Sequence, residues 1–261
     1  MSRLPLPARW LWSTAAVSLL ALVVGWLAMA NHANRSSTAA TPARYSSTGG
    51  HPAASSSEAA KSPVGNSALA QDIAALNAAS APPTGAAPPP ITGLASKQPD
   101  LYAAEFVRRL LTQHYDTPRD SQIRWVQSES GQTHDPTVVG LVPPNLRGRL
   151  ATYSVTAENP GDNPIPDAAT WARLGHAHAS TTVTVQNVEE PLAWTNAVAD
   201  GKVQDPGVTA REVAATVTRH VGHERSSYSV DLTLNLEGPP AYPTWRFVTL
   251  VTYTSIPLGP S

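Results

Sequence analysis

Hydrophobic patterning divides the chain into three regimes. Residues 10–30 form an almost unbroken apolar run without a charged side chain, residues 31–98 are nearly bare of large apolar groups, and periodic apolar spacing returns from 99 onward. As a helix the first run would measure about 31 Å, which matches the roughly 30 Å hydrocarbon core of a bilayer. In the third regime Ala103, Phe106, Val107, Leu110, Leu111 and His114 recur at the 3.6-residue period behind Asp100, a good N-cap residue. They predict a helix that stops near Thr117 and Pro118, because a residue before proline avoids helical backbone angles. A shorter helix after Pro118 would carry Ile123, Trp125 and Val126. Beyond it the period changes to two. Tyr228, Val230, Leu232, Leu234 and Leu236 alternate with Ser229, Asp231, Thr233 and Asn235, which predicts a strand with one apolar and one wet face. A Gly238-Pro239-Pro240 turn leads to 245–253, apolar or β-branched on both faces, predicted to pair as the second and more central strand of an antiparallel hairpin. Residues 213–221, 179–188 and 150–157 read as further strands.

The expected organisation is therefore a cytoplasmic N-terminus over 1–9, a transmembrane helix over 10–30, a disordered linker over 31–98 and an α+β domain over 99–261. The linker expectation rests on its Ala, Ser, Thr, Pro and Gly content, including Ala87-Pro88-Pro89-Pro90, which buries too little apolar area to offset chain ordering. One stretch within it, 67–79, places Leu69, Ile73 and Leu76 at helical spacing, too short to be stable alone but able to dock on a partner. The apolar run has two readings. Ala28-Met29-Ala30 has the small-x-small form of a signal-peptide cleavage site, which would release the rest of the chain. The anchor reading is favoured because the run exceeds a usual signal core and carries Trp10, Trp12 and Trp26 near its ends, where interfacial tryptophans sit. It implies a single-pass plasma-membrane protein with its C-terminal domain outside the cytoplasm. Ala21-x-x-x-Gly25 is the spacing that lets two such helices meet in a homo-oligomer.

Composition narrows the chemistry. The chain has no cysteine, so it offers no disulfide, no thiolate metal site and no thiol nucleophile. From Asp100 onward there are 17 acidic and 12 basic residues, a net charge of −5, which gives no footprint for direct nucleic-acid binding. His176-x-His178 and His220-x-x-His223 are the tempting metal-ligand pairs, yet neither has a third ligand at a telling spacing, so no metal and no cofactor are expected. No nucleophile elbow, phosphate-cradling glycine loop or metalloprotease helix motif occurs, so no catalytic residues are assigned and an enzyme is not expected. Asp231, with Tyr228, Tyr242 and Tyr253 nearby in sequence, could form an acid–base pocket, although a solvated strand position explains Asp231 as well. The candidate partner surface comprises Val139, Leu141 and Val142, in an apolar proline-stopped run, with Trp171 and Trp194 in loop-like surroundings. Each is either a core plug or an interface anchor.

Residues 102–111, 217–236 and 244–256, placed behind one spanning helix and a linker, resemble the inner-membrane scaffold subunits of type IV secretion and conjugative transfer channels, including their Gram-positive and actinobacterial relatives. The resemblance implies a helix packed on a curved antiparallel sheet of the nuclear transport factor 2-like class. It also implies a non-enzymatic structural role among other envelope and secretion-machine subunits. The mammalian-cell-entry-associated membrane proteins of actinobacteria, lipid-transport accessories, are similar in layout. A secreted small-molecule-binding domain is the alternative if the apolar run is cleaved.

Overall fold

The β-hairpin expected from the period-two pattern is present and forms one side of a larger sheet. In the computed structural model, which describes residues 63–79, 87–159 and 161–259, strands β1 (Ser180–Glu189), β2 (Val208–Val221), β3 (Glu224–Glu237) and β4 (Arg246–Pro257) form one antiparallel sheet in the order β1-β2-β3-β4. Before and between them lie helices α1 (Pro63–Ala78), α2 (Pro99–Leu111), α3 (Arg119–Glu129), α4 (Pro136–Val139), α5 (Pro144–Arg147), α6 (Leu150–Val155), α7 (Ala168–His176) and α8 (Leu192–Ala199). The chain is thus α+β, with helices packed on one face of a four-stranded meander. The apolar run at 10–30 lies outside the described residues. Among the described residues no helix is long and apolar enough to cross a membrane.

Alternation decides which sheet face is covered. Val213 pairs with Leu232, Ala215 with Val230 and Val217 with Tyr228, so these side chains point to the helices, while Ala214, Asp231 and Thr216 point away. α2 lies on this inner face. Its Tyr102, Phe106, Val107 and Leu110 are fully buried, and Phe106 stacks on Phe247 of β4 at 4.2 Å between ring centroids and on Trp125 of α3 at 5.2 Å. The helix begins two residues earlier than its sequence signal, with Gln98 rather than Asp100 at the N-cap. Pro99 fills its first turn, and Asp100, instead of capping it, forms an ion pair with Arg211 of β2. It also ends earlier, at Leu111, because Gln113 and His114 turn to pair with the start of β1.

Four sequence expectations are corrected. β4 is an edge strand, not a central one. Its residues 247–250 are buried in succession, on both faces, and the open edge there is covered: Gly131 N–H donates to the Phe247 carbonyl at 2.7 Å, and Leu250 N–H donates to Ser154 Oγ of α6 at 3.0 Å. Residues 150–155 are a helix rather than a strand, and Ala151, Ser154 and Val155 are its buried residues, an i, i+3, i+4 set that shares one face in a helix but not in a strand. Trp171 and Trp194, read as loop residues, lie on the short helices α7 and α8.

The fourth correction concerns part of the tract read as a linker. α1 carries Ile73 into the core and docks on this domain's own β1 rather than on a partner. Asn77 donates to the Val185 carbonyl at 2.8 Å and accepts from Val185 N–H at 3.0 Å, as a neighbouring strand would. An exposed sheet edge invites pairing with other chains, and this amide blunts it. Residues 87–91 are likewise fastened. The Pro89 carbonyl accepts from Arg109 and from Trp125 Nε1, and Ile91 N–H donates to Glu129 at 3.0 Å. Extended proline-rich backbone has no internal hydrogen bonds, so these side chains supply its partners.

Candidate functional site

β2 puts a charge where its own pattern calls for an apolar group. Val213, Ala215 and Val217 occupy successive inward positions, and the next is Arg219. No core can close over a guanidinium without a partner, and the helices stand off there. The result is a cleft of about 350 Å³ at that end of the inner face. Its sheet wall is Val217, Arg219, Tyr228, Tyr253 and Ser255; its opposite wall is Leu111, Tyr115 and, from α7, Thr170, Arg173 and Leu174. The segment 162–166 and Pro257 close the sides. The inward direction of Tyr253 and Ser255 follows from their pairing with Leu232 and Val230.

α7 is held against this wall by a close approach at Gly175. A Cβ there would stand 2.5 Å from the Tyr115 carbonyl oxygen, so only glycine lets the two segments touch. Trp171, in the same helix, is a core plug. Its ring meets Tyr115 edge-on at 4.9 Å and its Nε1 donates to the Thr117 carbonyl at 2.9 Å.

The cleft is electrostatically uneven. Arg219 lies over the Tyr228 ring, 5.4 Å from its centroid, and donates to Tyr228 Oη at 3.3 Å. Its Nε is buried without an acceptor, and so is Asn163 Oδ1 without a donor. Burial, reinforced by Tyr228 and partly offset by Arg219, pushes the Tyr115 hydroxyl up to about 12. Burial raises Tyr253 in the same sense, with Tyr228 and Tyr115 adding to it. Both hydroxyls therefore keep their protons at neutral pH and can act as hydrogen-bond donors.

The opposite end of the sheet gathers most of the sequence-derived candidates. Trp194 of α8 packs with Val208 and Ala210 of β2, joined by Val138 of α4 and by Val203, in a small second core. Asp135 ties this end together. Its carboxylate accepts from the N–H groups of Thr137 (2.8 Å), Gln204 (2.7 Å) and Asp205 (2.8 Å). Burial pushes that carboxyl up, but the three backbone donors outweigh it and hold it below its ordinary value. Beyond the small core, Val139 is buried, Val142 is half-buried and Leu141 is 73% exposed. Leu192 (56%) and Val198 (51%) on α8 are also exposed. Val139, Leu141, Val142 and Trp194 thus share one end of the domain, and Trp171 belongs to the other.

The remaining candidates do not converge. Asp231 lies on the outer sheet face, away from the cleft that Tyr228 and Tyr253 line, and Tyr242 accepts from Gln132 N–H elsewhere. His176, His178 and His223 are exposed, and His220 Nε2 lies 3.3 Å from Thr182 Oγ1. Among the described residues no three His, Asp or Glu side chains are placed to hold one metal ion. Sequence reasoning missed Arg219, although its signal was present: an inward strand position taken by a charge. Comparison of the chain with protein-family models, curated proteins and solved structures found no match.

Proposed function

We propose that this chain is a non-enzymatic, membrane-anchored scaffold subunit of an envelope-spanning transfer machine, of the conjugative or type IV secretion kind. In this reading residues 10–30 anchor it, the following tract spaces it from the bilayer, and the helix-on-curved-sheet domain, nuclear transport factor 2-like in outline, meets other subunits outside the cytoplasm. The observation that carries the proposal is the apolar end: Leu192 and Val198 are exposed on α8, the helix of Trp194, and Leu141 is exposed just beyond α4, whose Val138 packs on the Trp194 core. Grouped exposed apolar side chains are the usual mark of a protein contact, whereas scattered ones are ordinary. Leu141 is also held firmly for docking. Gly140 N–H donates to the Pro136 carbonyl at 2.8 Å, Val142 N–H to the Val139 carbonyl at 3.1 Å, and Pro143 and Pro144 stiffen the exit. A contact residue already fixed in the free protein loses little entropy on binding. The partner is a second envelope subunit presenting an apolar surface of its own. Native gel electrophoresis of solubilised membranes tests the proposal: the protein should migrate within a complex larger than itself, and migration only as the free monomer would refute it.

A further inference from the structure

Arg219 has less compensation than a half-buried guanidinium needs. No carboxylate lies within 4 Å of it among the described residues, its side chain meets only tyrosine hydroxyls there, Tyr228 at 3.3 Å and Tyr115, and its Nε has no acceptor. Elsewhere the chain pairs its buried arginines closely. Arg108 and Arg109 both bond Glu105, the former at 2.8 and 3.0 Å. Among the described residues no carboxylate plays that part for Arg219.

We propose that the cleft binds a small organic carboxylate with an apolar body, the carboxylate resting on Arg219 and the tyrosine hydroxyls. Three observations fix the class. A planar guanidinium matches a carboxylate two-pronged, and the hydroxyls of Tyr115, Tyr228 and Tyr253 line the same cleft. Leu111, Leu174, Val217 and the tyrosine rings give the body of the ligand an apolar bed, in a space at the lower end of the usual range for small-molecule pockets. The lining carries two cations, Arg219 and Arg173, against the single anion Asp162, and the one positive charge left over suits a monoanion better than a phosphate dianion. Asn163, with its unpartnered Oδ1, offers an acceptor to any donor the ligand carries. This binding site is independent of the apolar end and goes beyond the scaffold reading.

Calorimetry on the full chain in lipid nanodiscs, with empty nanodiscs subtracted, tests it using 4-phenylbutyrate as the probe, against 4-phenylbutanol and phenyl phosphate. Saturable binding of one 4-phenylbutyrate per chain is expected, with the alcohol at least about tenfold weaker, since a charge-assisted hydrogen bond contributes that much or more. Arg219→Gln should lower the affinity by a similar factor, and Arg219→Lys, which keeps the charge without the fork, by less. Absence of saturable binding, or equal affinity for acid and alcohol, would overturn the proposal. That comparison uses the unaltered protein and stands even if the variants fold poorly. Tighter binding of phenyl phosphate would overturn the assignment to a monoanion.

Discussion

Phe106→Ala is expected to destabilise the domain by about 4 kcal/mol, as removal of a fully buried phenyl ring typically does. The ring is wholly enclosed, between Phe247 on one side and Trp125 on another, with Tyr102 one turn away at 6.2 Å. Truncation would remove all three stacking contacts and leave a cavity that neighbours on α2, α3 and β4 cannot fill. A loss of that size should lower the melting temperature by about 8–15 °C in a domain of this length. Phe106→Leu keeps most of the volume and should cost only about 1–1.5 kcal/mol. Thermal or urea unfolding followed by circular dichroism measures both. A loss below 1 kcal/mol for the alanine variant would mean that this aromatic stack is not the core of the fold.

Asp135→Ala should cost about 3 kcal/mol, because it strips the acceptor from three backbone N–H groups at once and hydrogen bonds to charged groups are the stronger kind. The effect should depend on pH. The carboxyl is held below its ordinary value of 3.8, so folding is favoured by ionised Asp135 above that value and the contribution fades as pH falls through the lower, folded-state value. The gap between native protein and variant should therefore be full near neutrality and shrink below about pH 4. Glu237, nearby, behaves in the opposite sense. Burial, opposed by a bond from Thr133 and aided by the Asp205 charge, raises its carboxyl, so protonation of Glu237 favours the fold as pH falls. Comparing the Asp135 variant with the native protein at each pH cancels the Glu237 contribution. A gap that stays constant down to pH 3 would show that the charge of Asp135 has no part in joining α4 to the 202–205 segment.

Local patterns carried much of this architecture into the sequence. The alternation in β3 and the stripe Phe106, Val107, Leu110 and Leu111 each depend only on which face is covered, and both mark elements the structure contains. Where the reading failed, long-range contacts decided the outcome. α1 is stabilised by Asn77, which bonds a strand residue 108 positions later, and nothing within 67–79 announces that partner. Residues 150–155 hold β-branched and aromatic side chains that favour extended structure, yet Ser154 meets the edge of β4 only from a helix. β4 looked central because Gly131 and α6 cover its edge, and burial by a loop or helix writes the same apolar signature as burial by a strand.

The candidate sites divide similarly. Leu141 and Val142 stood out as an apolar run, and their end of the domain does expose apolar side chains. Trp171 carried the same ambiguity of core plug against interface anchor, and Tyr115 and the Thr117 carbonyl resolve it as a plug. The cleft required counting parity along β2 as far as Arg219, and its depth required α7 and the 162–166 segment, whose positions come from the tertiary fold.

The scaffold account turns on the apolar end around Leu141. Leu141→Asp changes a side chain that is 73% exposed, so the melting temperature of the protein should stay within about 2 °C of the native value, surface changes being nearly neutral. In native gels of membranes from cells producing this variant in place of the native chain, the account predicts loss of the large complex and accumulation of free protein. A complex of unchanged size and amount would contradict it.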